Sequence, residues 1–125
     1  ATAVLVLAAC GTAAPDLFVV QRSGSVPGAD LRLLVSDASV RCNGGPPRQL
    51  SSEEVLEART LADDLRELQT SGRRPPAARA QIFSFAVRTE EGTLRFADTA
   101  ARPDVLPRVT RFTRRAATDL CGLRR

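Results

Sequence analysis

At 125 residues, 43% hydrophobic and 26% charged, the chain has the size and balance of one globular domain with a real core, and is too short for two. It contains no His, Met, Trp or Tyr, and all 18 basic residues are Arg against 14 acidic ones, a formal net charge of +4. That composition excludes a Ser-His or Cys-His nucleophile, a His-ligated metal, a Schiff-base Lys and a Lys-bearing phosphate loop.

Ala1 to Cys10 reads ATAVLVLAAC, an uncharged apolar run that ends in small residues directly before a cysteine. Crossing a bilayer takes roughly 20 residues, so the run is too short to be a span. It matches the apolar core and small-residue cleavage region of a secretory signal without its basic leader. No Met stands at residue 1, and the expectation is a chain whose start has been trimmed. Leu7-Ala8-Ala9-Cys10, followed by Gly11, resembles the lipobox of bacterial lipoproteins. The resemblance implies that the Cys10 thiol is diacylated and that Leu7, Ala8 and Ala9 direct cleavage just before it. It also implies that the lipid holds the mature protein on the extracytoplasmic face of the cell membrane. Arg-only basic usage with abundant Ala, Gly and Pro suits a high-GC bacterial genome. By periodicity alone the run could also be a buried first strand. Gly11-Thr12-Ala13-Ala14-Pro15 has no alternation, however, and suits a tether better. The expected division is a signal remnant over 1–9, a lipidated cysteine and tether over 10–16, and one domain over 17–125.

The lipobox bears on the remaining cysteines. Three are present, and an odd number in an exported protein leaves one thiol to explain. With Cys10 lipidated, Cys42 and Cys121 remain as a pair in an oxidising compartment, where a disulfide persists. Two buried free thiols are the alternative, since cysteine often serves as a small core residue.

Along the domain, Leu17-Phe18-Val19-Val20 predicts a first strand that Ser23-Gly24-Ser25-Val26-Pro27-Gly28 ends with turn formers. Leu31, Leu33 and Val35 alternate with Arg32, Leu34 and Ser36, the period of a half-buried strand. Asp37-Ala38-Ser39 can turn the chain back into Val40-Arg41-Cys42. Asn43-Gly44-Gly45-Pro46-Pro47 then reads as a loop, neither strand nor helix interior. A capping box at Ser51 opens a helix that runs to about Leu68. Its narrow apolar stripe is Ala58, Leu61, Ala62, Leu65 and Leu68, with Glu53, Glu57, Thr60, Asp64 and Glu67 on the far side.

After Gly72-Arg73-Arg74-Pro75-Pro76, Phe83, Phe85 and Val87 alternate as a further strand, and Glu90-Glu91-Gly92 turns it into Thr93 to Ala97. A last helix runs from near Leu106 to Cys121, with Pro107 in its first turn and Val105, Val109, Phe112, Ala116 and Leu120 as its stripe. Two units of hairpin, Pro-bearing loop and helix form a weak internal repeat, with Arg41 and Arg95 at matching places. The order β-β-β-α-β-β-α predicts an α+β fold, an antiparallel sheet of about five strands with two helices packed on one face.

Charge is segregated. Residues 51–69 hold six acidic residues against two arginines, a net of −4, and residues 102–125 hold seven arginines against two acids, a net of +5. Arg108, Arg111, Arg114 and Arg115 gather away from the apolar stripe as a basic face. That face suits anionic lipid headgroups beside the anchor, or it is a solvated face balanced by the acidic helix. The Asn43, Gly44, Gly45, Pro46, Pro47, Arg48 loop, stiffened by two prolines, is a candidate binding loop, or a rigid link between strand and helix. The order of strand, cysteine, loop and helix resembles secreted subtilisin-inhibitor-like proteins, which carry two disulfides where only one can form here. That resemblance implies inhibition of an exported hydrolase through the Asn43–Arg48 loop. Aromatics at 4% and the lack of a legible motif argue against nucleic acid. Glu53, Glu54, Asp63 and Asp64 are neighbours on a helix surface without catalytic machinery. The reading is a non-enzymatic lipoprotein, a binding or structural module without cofactor or metal. Its expected partners are the membrane, through the anchor, and an unidentified protein.

Overall fold

A computed structural model describes residues 16–77, 79 and 81–125. Leu7, Ala8, Ala9 and Cys10, with the tether up to residue 15, lie outside the described residues. The elements are β1 (Asp16–Gly24), β2 (Leu31–Ser36), β3 (Ser39–Cys42), β4 (Pro47–Gln49), α1 (Ser52–Thr70), β5 (Phe83–Thr89), β6 (Gly92–Ala97) and α2 (Val105–Arg115), which a π turn over Ala116–Leu120 continues. The fold is α+β, with an antiparallel sheet in the order β4-β3-β2-β1-β5-β6.

The sheet has six strands rather than about five. The extra strand is β4, which starts at Pro47 inside the expected loop and pairs Val40 with Arg48 and Arg41 with Pro47. A proline is compatible with the first position of an edge strand, because its missing N–H is not needed by a neighbour.

Period-two alternation decides what each strand buries. Phe18 and Val20 of β1, Leu31, Leu33 and Val35 of β2, Val40 of β3, Phe85 and Val87 of β5 and Phe96 of β6 all enter one core. α1 meets them with Ala58, Leu61, Ala62, Leu65 and Leu68, the whole expected stripe. Ser51 caps α1 as expected: its hydroxyl accepts from the Glu54 amide, and the Glu54 carboxylate accepts from the Ser51 amide. α2 contributes Leu106, Val109 and Phe112, and the Phe112 ring lies edge-on to Phe18 at 6.1 Å. Arg59 of α1 grips Asp37 in the β2–β3 turn through two hydrogen bonds of 2.5 and 2.9 Å. Hydrogen bonding from Arg59 holds the Asp37 carboxyl below the usual carboxylate range.

Two helical expectations are corrected. Glu57 and Asp64 do not lie on the far side of α1; they are half-buried on the flank that meets α2. The last helix does not stay α-helical to Cys121: its final stretch widens, the Cys121 amide donates to the Ala116 carbonyl at 2.9 Å, and Leu120 is only partly buried. This end of the chain brings Cys121 beside Cys42. The two sulfurs sit at disulfide distance, with Cα atoms 5.8 Å apart and a sequence separation of 79.

Closing a loop of that length stabilises the folded state by about 4.5 kcal/mol in the chain-entropy account. Cys42→Ser is therefore expected to cost about 2–5 kcal/mol. For a domain of this size that is a fall in Tm on the order of 10–20 °C, read by calorimetry against the unreduced parent. An unchanged Tm would show that the core alone holds the helix end.

Candidate functional site

The four arginines of the expected basic face separate in three dimensions. Arg108 is half-buried; its guanidinium donates to Asp64 of α1 at 2.5 Å and lies 2.9 Å from Asp104 one turn earlier. Hydrogen bonding to Asp64 raises its pKa further above the ordinary arginine value. Arg115, two turns along the same flank, pairs with Glu57 of α1. Arg111 is exposed, and Arg114 lies on another flank, against a cleft at the end of the sheet. Two of the four positive charges therefore join the helices, in line with the alternative of a face partly balanced by the acidic helix.

The Asn43–Arg48 segment is a hairpin rather than a free loop. Asn43 and Gly44 take left-handed conformations, φ 53° and 74°, which Asn tolerates and Gly adopts freely. Asn43 clasps the neighbouring strand: its amide donates to the Arg32 carbonyl and its side-chain oxygen accepts from the Arg32 amide, both at 2.8 Å. Pro46, Pro47 and Arg48 are exposed, and Pro47 and Arg48 belong to β4 at the sheet edge.

The outer face of the sheet is the surface that strand-by-strand reading did not assemble. In the register of the ladders, Arg32, Gln21, Ala86 and Arg95 form one row across β2, β1, β5 and β6. Arg41, Leu34, Val19, Arg88 and Thr93 form the next, across β3, β2, β1, β5 and β6. Both rows thus carry an arginine on either side of an uncharged centre. With strands about 4.8 Å apart, Arg32 and Arg95 stand roughly 14 Å from each other, as do Arg41 and Arg88. All four are exposed, and none makes an ion pair among the described residues. Asp16 is the only acidic residue in the six strands. Between the rows lies a shallow depression of about 220 Å³ lined by Val19, Gln21, Arg32, Ala86, Arg88, Thr93 and Arg95.

Among the described residues, no group of three or more His, Cys, Asp or Glu could hold a metal ion. No described helix is long and apolar enough to cross a membrane. Compared with known family models, curated proteins and solved structures, the chain matches none.

The helix pairing can be weighed by a double-mutant cycle of Asp64→Asn and Arg108→Gln in chemical denaturation. The half-buried pair is expected to couple by about 1 kcal/mol, and the more exposed Glu57 and Arg115 by less. Strict additivity at Asp64 and Arg108 would mean that this pair adds nothing to the joining of the helices.

Proposed function

We infer that the chain is a non-catalytic binding module, held on the extracytoplasmic face of the cell membrane by lipid at Cys10, with its bare sheet face turned to an anionic surface. The outer face carries the reading: Arg32, Arg41, Arg88 and Arg95 stand on it, and the two helices occupy the other side. An arginine near an anionic leaflet contributes on the order of 1 kcal/mol, so four can set the orientation of an anchored domain. β1 begins at Asp16, six positions after Cys10. A chain of that length reaches at most about 20 Å, which keeps the domain near the leaflet. The paired Cys42 and Cys121 support export, because a disulfide persists in an oxidising compartment. Glu53, Glu54 and Asp63 support a non-catalytic role: Glu53 and Asp63 are exposed on α1, Glu54 is spent on the cap, and Asp63 pairs with Arg66.

The exposed 43–49 hairpin, braced by Cys42 and by the Asn43 clasp, favours a second reading, inhibition of an exported hydrolase. Stoichiometric inhibition of a secreted protease, lost in Arg48→Ala, would select it.

Two measurements test the first reading. With a native leader in place, the protein is expected to label with palmitate and partition into detergent, and Cys10→Ser to do neither. The unlipidated Cys10→Ser chain is expected to bind vesicles containing phosphatidylglycerol and to ignore neutral phosphatidylcholine. It should release as salt rises, because screening shortens the field to about 8 Å at physiological ionic strength. Arg88→Gln with Arg95→Gln should weaken that binding at least roughly tenfold. Labelling that survives Cys10→Ser overturns the anchor, and equal binding to both vesicle types overturns the role of the sheet face.

A further inference from the structure

β1 breaks the inward pattern at one position. Phe18 and Val20 face the helices, and the next inward residue is Arg22, whose side chain is only 2% exposed. Its Nε donates to the Ala29 carbonyl at 2.9 Å and its Nη2 to the backbone oxygens of Arg125 at 2.8 Å and Gly28 at 3.4 Å. The guanidinium lies 4.7 Å over the Phe83 ring. No Asp or Glu side chain among the described residues comes within ion-pairing distance of it. A buried charge is expensive unless something opposite meets it, and burial pulls the Arg22 pKa below its ordinary value.

The surroundings add positive charge. Arg22 forms the inner end of a cleft of about 550 Å³ between β5 and α2, and Arg114, Arg124 and Arg125 line the same cleft. None of these makes an ion pair among the described residues. Asp98 is the cleft's one acid and does not neutralise them by contact. Its Oδ2 accepts from the Ile82 and Phe83 amides at 3.2 and 3.0 Å, and its Oδ1 is enclosed without a partner. Phe83 and Phe85 supply an apolar wall. Stability alone gives no reason to gather four guanidinium groups around one hollow, since like charges repel and desolvation of Arg22 is unfavourable. A bound anion offsets both effects.

We propose that this cleft is a binding site for a small phosphate monoester carrying an aromatic or short apolar group, with the phosphate on Arg22, Arg114, Arg124 and Arg125 and the apolar group on Phe83 and Phe85. Guanidinium groups present planar forks that match phosphate oxygens two at a time. A dianion suits four arginines facing one carboxylate better than a single carboxylate ligand does. The volume lies in the range of small-molecule sites. This site is on the helix side of the sheet and does not rest on the membrane reading above.

Calorimetric titration of the full chain tests it, with inorganic phosphate and phenyl phosphate as probes. Phenyl phosphate is expected to bind with a Kd of about 1 mM or tighter, and inorganic phosphate more weakly, for want of contact with Phe83 and Phe85. Arg114→Gln should weaken phenyl phosphate roughly tenfold, the loss expected for a charge-assisted hydrogen bond, and leave Tm unchanged because Arg114 makes no ion pair in the described structure. Arg22→Lys keeps the charge and loses the fork, and should weaken binding as well. Arg95→Gln on the outer face should not change it, although it weakens vesicle binding. If phenyl phosphate fails and phosphatidic acid vesicles bind in an Arg114-dependent way, the phosphate is a lipid headgroup and the site stands. Absence of both, or phenyl phosphate binding that Arg114→Gln leaves untouched, overturns the site and leaves Arg22 as a clasp for the backbone at Arg125.

Discussion

A sheet has two faces, and both helices of this molecule pack on the same one. The covered face must be apolar to exclude water, and it is: Phe18, Val20, Leu33, Val35 and Val87 are essentially without exposure. The bare face must remain soluble, and antiparallel sheets with one wet side answer this by alternation. In a chain without Lys, whose strands contain a single acid, Asp16, the charge in the two outward rows is all arginine. The basic outer surface is therefore a direct consequence of one-sided layering combined with composition.

The same asymmetry makes α2 a shared element. One flank is apolar and lies on the sheet through Leu106, Val109 and Phe112. A second carries Arg108 and Arg115 to the acids of α1, so much of the opposed charge of the two helices is spent where they touch. A third presents Arg114 to the cleft that Arg22 closes from within. The pairing of Cys42 with Cys121 ties the end of this element to β3 and so limits where the final arginines can stand. A net charge of +5 over residues 102–125 describes none of this, because charges at neighbouring helical positions point at different partners.

Arg22 and Arg32 show how strongly context sets the meaning of one residue type. Both are strand arginines, Arg22 between Gln21 and Ser23 in β1 and Arg32 between Leu31 and Leu33 in β2. Arg32 faces water, where a guanidinium is well solvated and available to an anionic surface. Arg22 faces the interior, held by three main-chain oxygens and an aromatic ring, with no Asp or Glu side chain against it. Only the second is costly in isolation, which is why it points to a ligand.

What the sequence by itself determined is local. The alternation over 31–36 and 83–88, the capping box at Ser51 and the spacing of Ala58, Leu61, Ala62, Leu65 and Leu68 each arise from contacts within a few residues, so the strands, the first helix and the α+β class were legible. So was the Cys42 and Cys121 pairing, although only with Cys10 assigned elsewhere. β4 was hidden, because its three residues include a proline and have no pattern of their own; pairing with β3 makes them a strand. The π turn and the sharing of Arg108 and Arg115 with α1 needed the helices in place. The outer arginine rows needed β1 between β2 and β5, which brings Arg32 and Arg95 onto one surface. Tertiary structure alone decided these features, for one physical reason: periodicity tells a side chain which face of its own element it occupies, whereas its neighbours across elements are set by long-range packing that leaves no local trace in the chain.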